Sequence, residues 1–220
     1  MSVTRYHFAH AVNAFFEMPS GVAGKLLPGH LQPLELRHDS AIFAVTAFDF
    51  TDSLVGAYQE LVLAVIVPPM VKAGGVFPKS AFFPFLLGTS TEASRKHAIA
   101  RWHLPHHMAD IDLDFDVSKD GVQILVHESD KPILDMQISV HDWTIVDQLY
   151  QCFMIDADKR YKVDIHMQGR FTEHEEESGS LKLHPHAMTA NLSPERIATY
   201  PFREMWMRDG LQTFEELESI

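Results

Sequence analysis

The segment Arg101-Trp102-His103-Leu104-Pro105-His106-His107-Met108 leads directly into residues 109–117, where small or apolar residues alternate with aspartates without a fault. Side chains of a β-strand point to opposite faces in turn, so this pattern predicts a strand with one acidic and one apolar face. We interpret the acidic face as solvated surface; calcium binding is the alternative, but carboxylates in a straight row do not converge on one cation. The acidic face consists of Asp110, Asp112, Asp114 and Asp116.

Strand-like stretches surround this segment on both sides. Short helices are predicted at residues 20–27, 91–101 and 193–195, with Thr91 as a possible cap, while residues 5–18 fit either a helix or an extended arm. Many closely spaced strands with few helices predict a mainly β (α+β) fold, a barrel or a sandwich, in one domain spanning residues 1–220. The remaining predicted strands are 34–36, 41–48, 58–67, 82–87, 121–128, 133–140, 143–155, 160–171, 179–183 and 202–207.

Composition narrows the function classes. The formal net charge of −12 disfavours nucleic acid and anionic membranes as partners. The longest apolar run, residues 61–67, ends at a proline pair and is far shorter than the roughly 18 residues of a membrane span. The single cysteine, Cys152, cannot form an intrachain disulfide, and the first residues show no secretory signal. We therefore expect a soluble cytoplasmic protein with no nucleic acid or membrane partner.

Three segments, in order, resemble the acetoacetate decarboxylase family. They are Leu26-Leu27-Pro28-Gly29-His30-Leu31-Gln32-Pro33, Gly56-Ala57-Tyr58-Gln59-Glu60 and Leu104-Pro105-His106-His107-Met108-Ala109-Asp110. The agreement in order and spacing covers about residues 25–117. The resemblance implies an acetoacetate decarboxylase-like, cone-shaped β-barrel with a mostly apolar cavity for a small-molecule ligand, assembled as a homo-oligomer.

One departure from the family pattern bears on the reaction. The family carries Pro-Lys-Lys where this chain has Pro105-His106-His107, and its first lysine forms a Schiff base with a keto acid. Histidine forms no stable imine, so we expect no imine-based decarboxylation; a displaced lysine such as Lys96 is the disfavoured alternative. The resemblance also implies a pocket arginine, for which Arg5 is the only candidate before Arg37, and a second carboxylate that falls on apolar residues near Val45.

Glu60 matches the family pattern and interrupts an otherwise apolar strand. The alternation of a strand allows it to face either solvent or a pocket, and we favour the pocket. Burial would raise the pKa of its carboxyl, and such groups cluster at functional sites. We therefore predict that Glu60 and at least one of His106 and His107 face a shared cavity as catalytic acid and base.

The histidines allow a second interpretation. A histidine pair with a carboxylate suits zinc or iron, so His103, His106 and His107 are candidate ligands of a divalent metal; no other cofactor is expected. Adjacent residues of an extended strand point to opposite faces, which disfavours one ion shared by His106 and His107. Two further histidines, in His184-Pro185-His186, are interpreted as structural or surface residues.

Two functions from different classes therefore remain open. The first is a lyase-like enzyme that uses acid–base chemistry, without an imine, on a small keto or carboxylate compound. The second is a non-catalytic barrel that binds a small ligand, and a metal-binding form of the same pocket is a variant of either.

Overall fold

The computed structural model describes residues 3–220 and is built mainly of strands. In chain order the strands are β1 (Thr4–Pro19), β2 (Glu35–Arg37), β3 (Ser40–Asp52), β4 (Tyr58–Ile66), β5 (Ala81–Thr89), β6 (Asp112–Val117), β7 (Gly121–Glu128), β8 (Lys131–Ser139), β9 (Thr144–Asp156), β10 (Lys159–His174), β11 (Ser180–Leu183), β12 (Arg203–Phe214) and β13 (Glu218–Ser219). The helices in the described residues are α1 (Ser20–Leu26), α2 (Glu92–Trp102) and a 3₁₀ turn, Pro194–Arg196.

Seven of the strands close into a barrel in the order β1-β12-β10-β9-β5-β4-β3. The barrel closes because β3 pairs with β4 on one side and with β1 on the other. Barrel neighbours are antiparallel except β5 and β9, which are parallel. The small strands β2 and β13 extend this sheet beside β3 and β10. The predicted mainly β, barrel-like fold is confirmed.

The strands β6, β7, β8 and β11 form a second, antiparallel sheet that covers the outside of the barrel. Its apolar side chains, such as Leu113 and Val122, share one core with outward-facing barrel residues. On the opposite face the aspartates of β6 are exposed, so the predicted solvated acidic face is confirmed.

Strand β4 shows why its sequence is continuously apolar. Leu61 and Leu63 point outward into the core shared with the small sheet, and both are fully buried. Ala64 and Ile66 point inward into a separate core within the barrel. A strand buried on both faces has no water-facing side, which favours an unbroken apolar run over alternation.

Local sequence signals explain both ends of α2. The Thr91 side chain accepts a hydrogen bond from the backbone N–H of Ser94, which confirms the predicted cap. The helix ends where His103 adopts a left-handed conformation with φ of 53°. The choice left open at residues 5–18 is settled as extended, since they lie within β1. No helix in residues 3–220 is long and apolar enough to span a membrane.

Candidate functional site

Residues two positions apart on the barrel strands line a cavity inside the barrel. Its volume is about 110 Å³, somewhat smaller than the roughly 150 Å³ engineered cavity that holds benzene. Every barrel strand contributes to the mostly apolar lining, because side chains two apart share a face. The inward pairs are Ala11 and Asn13, Thr46 and Phe48, Glu60 and Val62, Phe82 and Pro84, Tyr150 and Cys152, Ile165 and Met167, and Met205 and Met207.

Glu60 supplies a carboxyl group to this cavity. It lies opposite Phe48 in the pairing of β4 with β3, and it lines the cavity together with Val62 two positions further along. No hydrogen bond or ion pair from residues 3–220 reaches the carboxyl, so burial alone acts on it and raises its pKa to about 8. Near neutral pH, Glu60 therefore exchanges a proton far more readily than an ordinary, fully ionised carboxylate.

Two buried carboxamides that line the cavity also lack partners. The side-chain oxygens of Asn13 and Gln212 form no hydrogen bond in the described part of the chain, although the residues are only 8% and 5% exposed. An unsatisfied buried polar group costs roughly 1–3 kcal/mol. Within residues 3–220, the cavity lining contains no lysine, arginine or histidine. The described lining thus offers uncharged hydrogen-bonding groups and one carboxyl, that of Glu60.

A second, smaller cavity of about 30 Å³ adjoins the first, and Glu60 and Gln212 line both. Its other wall carries Tyr6, Trp102 and His97, in a hydrogen-bonded chain. Trp102 Nε1 donates to the Tyr6 hydroxyl at 2.9 Å. An indole N–H only donates, which leaves the proton of the Tyr6 hydroxyl for His97 Nε2, 2.8 Å away, when that ring nitrogen carries no proton.

His97 lies at the outer end of this chain and is half-buried. Burial, together with the charge of Arg101, lowers its pKa, which favours the neutral imidazole that accepts from Tyr6. Burial also raises the pKa of Tyr6, so its phenol stays protonated. The smaller cavity has room for one or two water molecules, at roughly 10–15 Å³ each. A water there would bring Glu60 and Tyr6 into hydrogen-bond communication.

The segment Pro105–His107 lies along the second half of β5. The backbone N–H of Leu87 donates to the carbonyl of Pro105 at 2.9 Å, and the N–H of His107 donates to the carbonyl of Leu87 at 2.7 Å. Leu87 and Leu104 line the large cavity, but His106 and His107 do not. The prediction that His106 or His107 faces a cavity shared with Glu60 is therefore wrong. The side chains that border the cavity here are leucines.

The predicted metal set of His103, His106 and His107 is also corrected, since the three imidazoles lie in different surroundings. His103 stacks on Tyr161 with 4.7 Å between ring centroids, and its Nδ1 is 3.2 Å from a carboxylate oxygen of Asp156. His106 Nδ1 is 2.6 Å from the carbonyl oxygen of His107, and burial lowers the pKa of its ring. No group of possible ligand atoms within 4.8 Å of one another in residues 3–220 contains these three histidines together. Whether His106 acts in catalysis stays a prediction.

His107 belongs to a cluster that the sequence analysis did not predict. Its Nε2 lies 2.6 Å from Glu128 Oε2, and the same oxygen is 3.3 Å from His186 Nε2. His186 was interpreted as a structural or surface residue, yet its side chain is only 5% exposed. The hydrogen bond with His107 lowers the pKa of Glu128. The sequence signal was weak: a glutamate at the end of β7 and a histidine–proline–histidine turn, far apart in the chain.

The other residues suggested by the resemblance lie outside the cavity. Arg5 is exposed on β1, and its neighbour Tyr6 points inward. Lys96 pairs with Glu92 on the exposed side of α2, which agrees with a displaced lysine being the disfavoured alternative. Val45 points outward, so the inward side chain at this place on β3 is the next residue, Thr46.

The barrel with its covering sheet is the architecture of the acetoacetate decarboxylases. An acetoacetate decarboxylase from Legionella pneumophila superposes with a TM-score of 0.68 at 14% identity, covering 100% of this chain and 87% of that one. The enduracididine biosynthesis enzyme MppR, complexed with pyruvate, gives a TM-score of 0.65 at 9% identity, with coverage of 98% and 90%. An acetoacetate decarboxylase-like enzyme from Sphingomonas wittichii RW1 gives 0.65 at 10% identity, covering 100% and 92%.

These identities are low, so the likeness concerns the fold. No family model and no curated protein matches the sequence. The chain has the acetoacetate decarboxylase-like fold, and the resemblance seen in the three sequence segments is confirmed at that level.

Proposed function

We propose that this protein binds a small, uncharged carbonyl compound inside its barrel and moves a proton on it with Glu60, without forming an imine. The observation that carries the proposal is the Glu60 carboxyl, unpaired within a mostly apolar cavity, with a pKa of about 8. A catalytic base works best when its pKa lies near the working pH. Burial of this one carboxyl supplies that match.

The cavity lining argues against imine chemistry. An imine requires a neutral amine in contact with the substrate carbonyl. No lysine among residues 3–220 lines the cavity, and Lys96 is tied to Glu92 on the exposed side of α2. The nearest equivalent of the family lysine position, His106, does not reach the cavity either.

The charge of the lining selects the substrate class. The neighbours include an acetoacetate decarboxylase and MppR complexed with pyruvate, which suggests carbonyl compounds. A carboxylate in this cavity would meet no cation from residues 3–220, only Glu60 and neutral groups, and burying an unpaired charge is costly. A neutral ketone avoids that cost, and its oxygen can accept hydrogen bonds from the side-chain N–H groups of Asn13 and Gln212, which line the cavity.

The proposed step is enolisation. The Glu60 carboxylate takes a proton from the carbon beside the carbonyl, the C–H electron pair forms the C=C bond, and the carbonyl π pair moves to oxygen. The carboxamides of Asn13 and Gln212 are placed to donate hydrogen bonds to that oxygen, which stabilises its developing charge. The reverse transfer returns a proton to carbon, so atoms and charge balance.

Exchange of the Glu60 proton with solvent has a route through the smaller cavity. A water there would connect Glu60 to the Tyr6 hydroxyl, which already donates to His97 at the outer end. Because the pKa of Tyr6 is raised, the phenol passes a proton on without accumulating as an anion. His97 acts in this route as the solvent-side acceptor.

The test is α-proton exchange of butan-2-one in deuterated buffer, followed by proton NMR. We expect exchange above the buffer rate that rises with pH around a midpoint near 8, and a fall of about 100-fold or more in Glu60→Gln. Glu128→Gln, a carboxyl outside the cavity, is the matched control and should leave exchange unchanged. Exchange that survives in Glu60→Gln would overturn the assignment of the base.

The second candidate is a non-catalytic binding barrel, which the mostly apolar lining favours. It predicts that butan-2-one raises the melting temperature of wild type and of Glu60→Gln alike, with no α-proton exchange in either. Carbon dioxide release from acetoacetate, together with a borohydride-trapped adduct on a lysine, would refute both candidates and restore the imine mechanism.

A further inference from the structure

Three side chains from separate segments meet where the barrel edge contacts the small sheet. Glu128 Oε2 lies 2.6 Å from His107 Nε2 and 3.3 Å from His186 Nε2. The three candidate ligand atoms all lie within 4.8 Å of one another. Two imidazoles and a carboxylate are the three-ligand set that zinc uses in open sites.

The backbone holds each of these residues in place. His107 donates its N–H to Leu87 on β5, and Glu128 ends β7, opposite Lys131 across a tight hairpin. His186 sits in a turn closed by Thr189, whose hydroxyl accepts from the His186 N–H at 3.1 Å. Because the three positions are fixed before any ligand arrives, little chain entropy is lost when an ion binds.

The adjoining buried methionine anchors the His186 turn to the barrel. Met188 is 1% exposed. A Cβ added at Gly88 on β5 would lie 3.0 Å from the Met188 Cε atom, so the glycine lets this side chain pack against the strand. The same strand also holds His107 through Leu87. The two histidines are therefore positioned by one strand.

We infer that His107, Glu128 and His186 form a binding site for a divalent metal ion of the zinc type. Zinc bonds of about 2.0–2.1 Å in a tetrahedron place ligand atoms roughly 3.3–3.5 Å apart. The distance from Glu128 Oε2 to His186 Nε2 already has this spacing, at 3.3 Å. The distance from Glu128 Oε2 to His107 Nε2, now 2.6 Å, has to lengthen by about 0.8 Å. The side chains are 15%, 25% and 5% exposed in chain order, so water has access to a fourth position.

One hydrogen bond of His186 has to break when the ion binds, and this lowers the affinity of the site. The backbone N–H of Met188 donates to His186 Nδ1 at 3.2 Å, which leaves the ring proton of a neutral imidazole on Nε2. Coordination through Nε2 moves that proton to Nδ1 and breaks this bond. The site therefore binds an exchangeable ion that a chelator removes without unfolding the protein.

The ion would tie together the segment after α2, the end of β7 and the turn around His186. These parts belong to the barrel edge, the small sheet and the loop after β11. An ion that binds only the folded state stabilises it by mass action. The inferred role is structural, separate from the barrel cavity, and independent of the proposed carbonyl chemistry.

The experiment is calorimetric titration of chelator-treated protein with zinc chloride, with melting temperature as a second readout. We expect one zinc ion per chain and a rise in melting temperature on saturation. Changing residues that merely support a metal ligand typically weakens affinity about 10- to 100-fold. Glu128→Gln and His186→Ala remove ligands, so each should weaken zinc affinity by at least about tenfold.

The matched control is His141→Ala, which changes a separate His141, His174 and Glu176 cluster and should leave zinc affinity unaltered. Near-ultraviolet circular dichroism checks that each variant is folded. If His186→Ala does not fold, Glu128→Gln still tests the site, because it keeps the shape of the side chain. Cobalt in place of zinc should give the intense visible absorption of four-coordination in wild type and lose it in Glu128→Gln. No zinc binding in wild type, or binding lost only in His141→Ala, would overturn the inference.

Discussion

Glu60 and Glu128 are the same side chain in opposite surroundings. Glu60 faces an apolar cavity without a partner, and burial raises its pKa to about 8. Glu128 stands at the barrel edge between two imidazoles, and the hydrogen bond with His107 lowers its pKa. The first carboxyl is held near its point of titration, whereas the second is held ionised.

The difference separates a carboxyl that has no partner in the described residues from one that is already hydrogen-bonded within the chain. Three polar side chains of the cavity, Glu60, Asn13 and Gln212, have no hydrogen-bond partner in the described residues. At the edge, Glu128 already accepts from His107 and faces His186. Removing the carboxylate charge should therefore stabilise the folded protein at Glu60 and destabilise it at Glu128.

The largest expected effect on stability comes from Glu60→Gln. The native state holds its proton up to a pH of about 8, while an unfolded glutamate loses it near its ordinary pKa of about 4.3. Between these values the native state binds more protons than the unfolded state, so wild-type stability falls as pH rises. Glutamine removes that loss, and we expect a gain of roughly 3–5 kcal/mol at pH 8 that vanishes near pH 4.

Urea denaturation of both proteins at several pH values measures this gain. The stability difference between variant and wild type should grow with pH and level off above a pH of about 8. A constant difference across the range would mean that Glu60 titrates normally. Glu128→Gln, run beside it, should show no such growth toward alkaline pH.

Glu128→Gln should have a smaller effect in the opposite direction. It keeps the shape of the side chain but weakens the bond from His107, because hydrogen bonds to ionised acceptors are about twice as strong as neutral ones. Water reaches this side chain, which limits the loss. We expect a lower melting temperature at pH 7 in the presence of chelator, by less than Glu60→Gln raises it. An unchanged or higher melting temperature would show that the edge carboxylate is not satisfied by its neighbours.

Tyr6→Phe tests the connection between the cavity carboxyl and solvent. Removing the hydroxyl breaks the contacts to His97 and Trp102 without touching the large cavity, whose lining does not include Tyr6. We expect the butan-2-one exchange rate to fall about three- to tenfold, less than the full contribution of a general base, with unchanged KM. In Trp102→Phe, which leaves the Tyr6 hydroxyl and its contact with His97 in place, the rate should fall less. An unaltered rate in Tyr6→Phe would exclude the route.

Much of the fold could be predicted from the sequence, because local patterns there agree with the tertiary contacts. The β6 alternation survives because one face meets the core and the other meets water, and the Thr91 cap depends only on its own helix. Residues 5–18 gave no clear period, because β1 exposes Arg5 and His7 on one face but is buried on both faces from Ala11 to Phe16, where it packs between β3 and β12. A strand without a polar face cannot be told from a helix by alternation.

The site was predictable only where one residue carried the signal. A single charge in the apolar run of β4 marked Glu60, which lies in the cavity. The cluster of His107, Glu128 and His186 joins three distant segments, and nothing in the local sequence links them. The homo-oligomeric state stays a prediction, which light scattering checks against the 25.0 kDa chain.

His106→Ala should have the smallest effect on exchange and tests whether the cavity acts without a histidine. The His106 ring is absent from the cavity lining, and its Nδ1 contacts the carbonyl oxygen of His107. The substitution costs that contact and some packing, so a modest loss of stability is expected, of about 1 kcal/mol. Because Glu60 and the two carboxamides remain in place, the exchange rate of butan-2-one should stay within about twofold of wild type, well inside the effect of losing a general base. Rates compared well below the melting temperature of the variant separate stability from chemistry.

A fall of about tenfold or more, with the pH midpoint displaced from about 8, would mean that His106 reaches the substrate in solution and acts with Glu60, as the sequence first suggested.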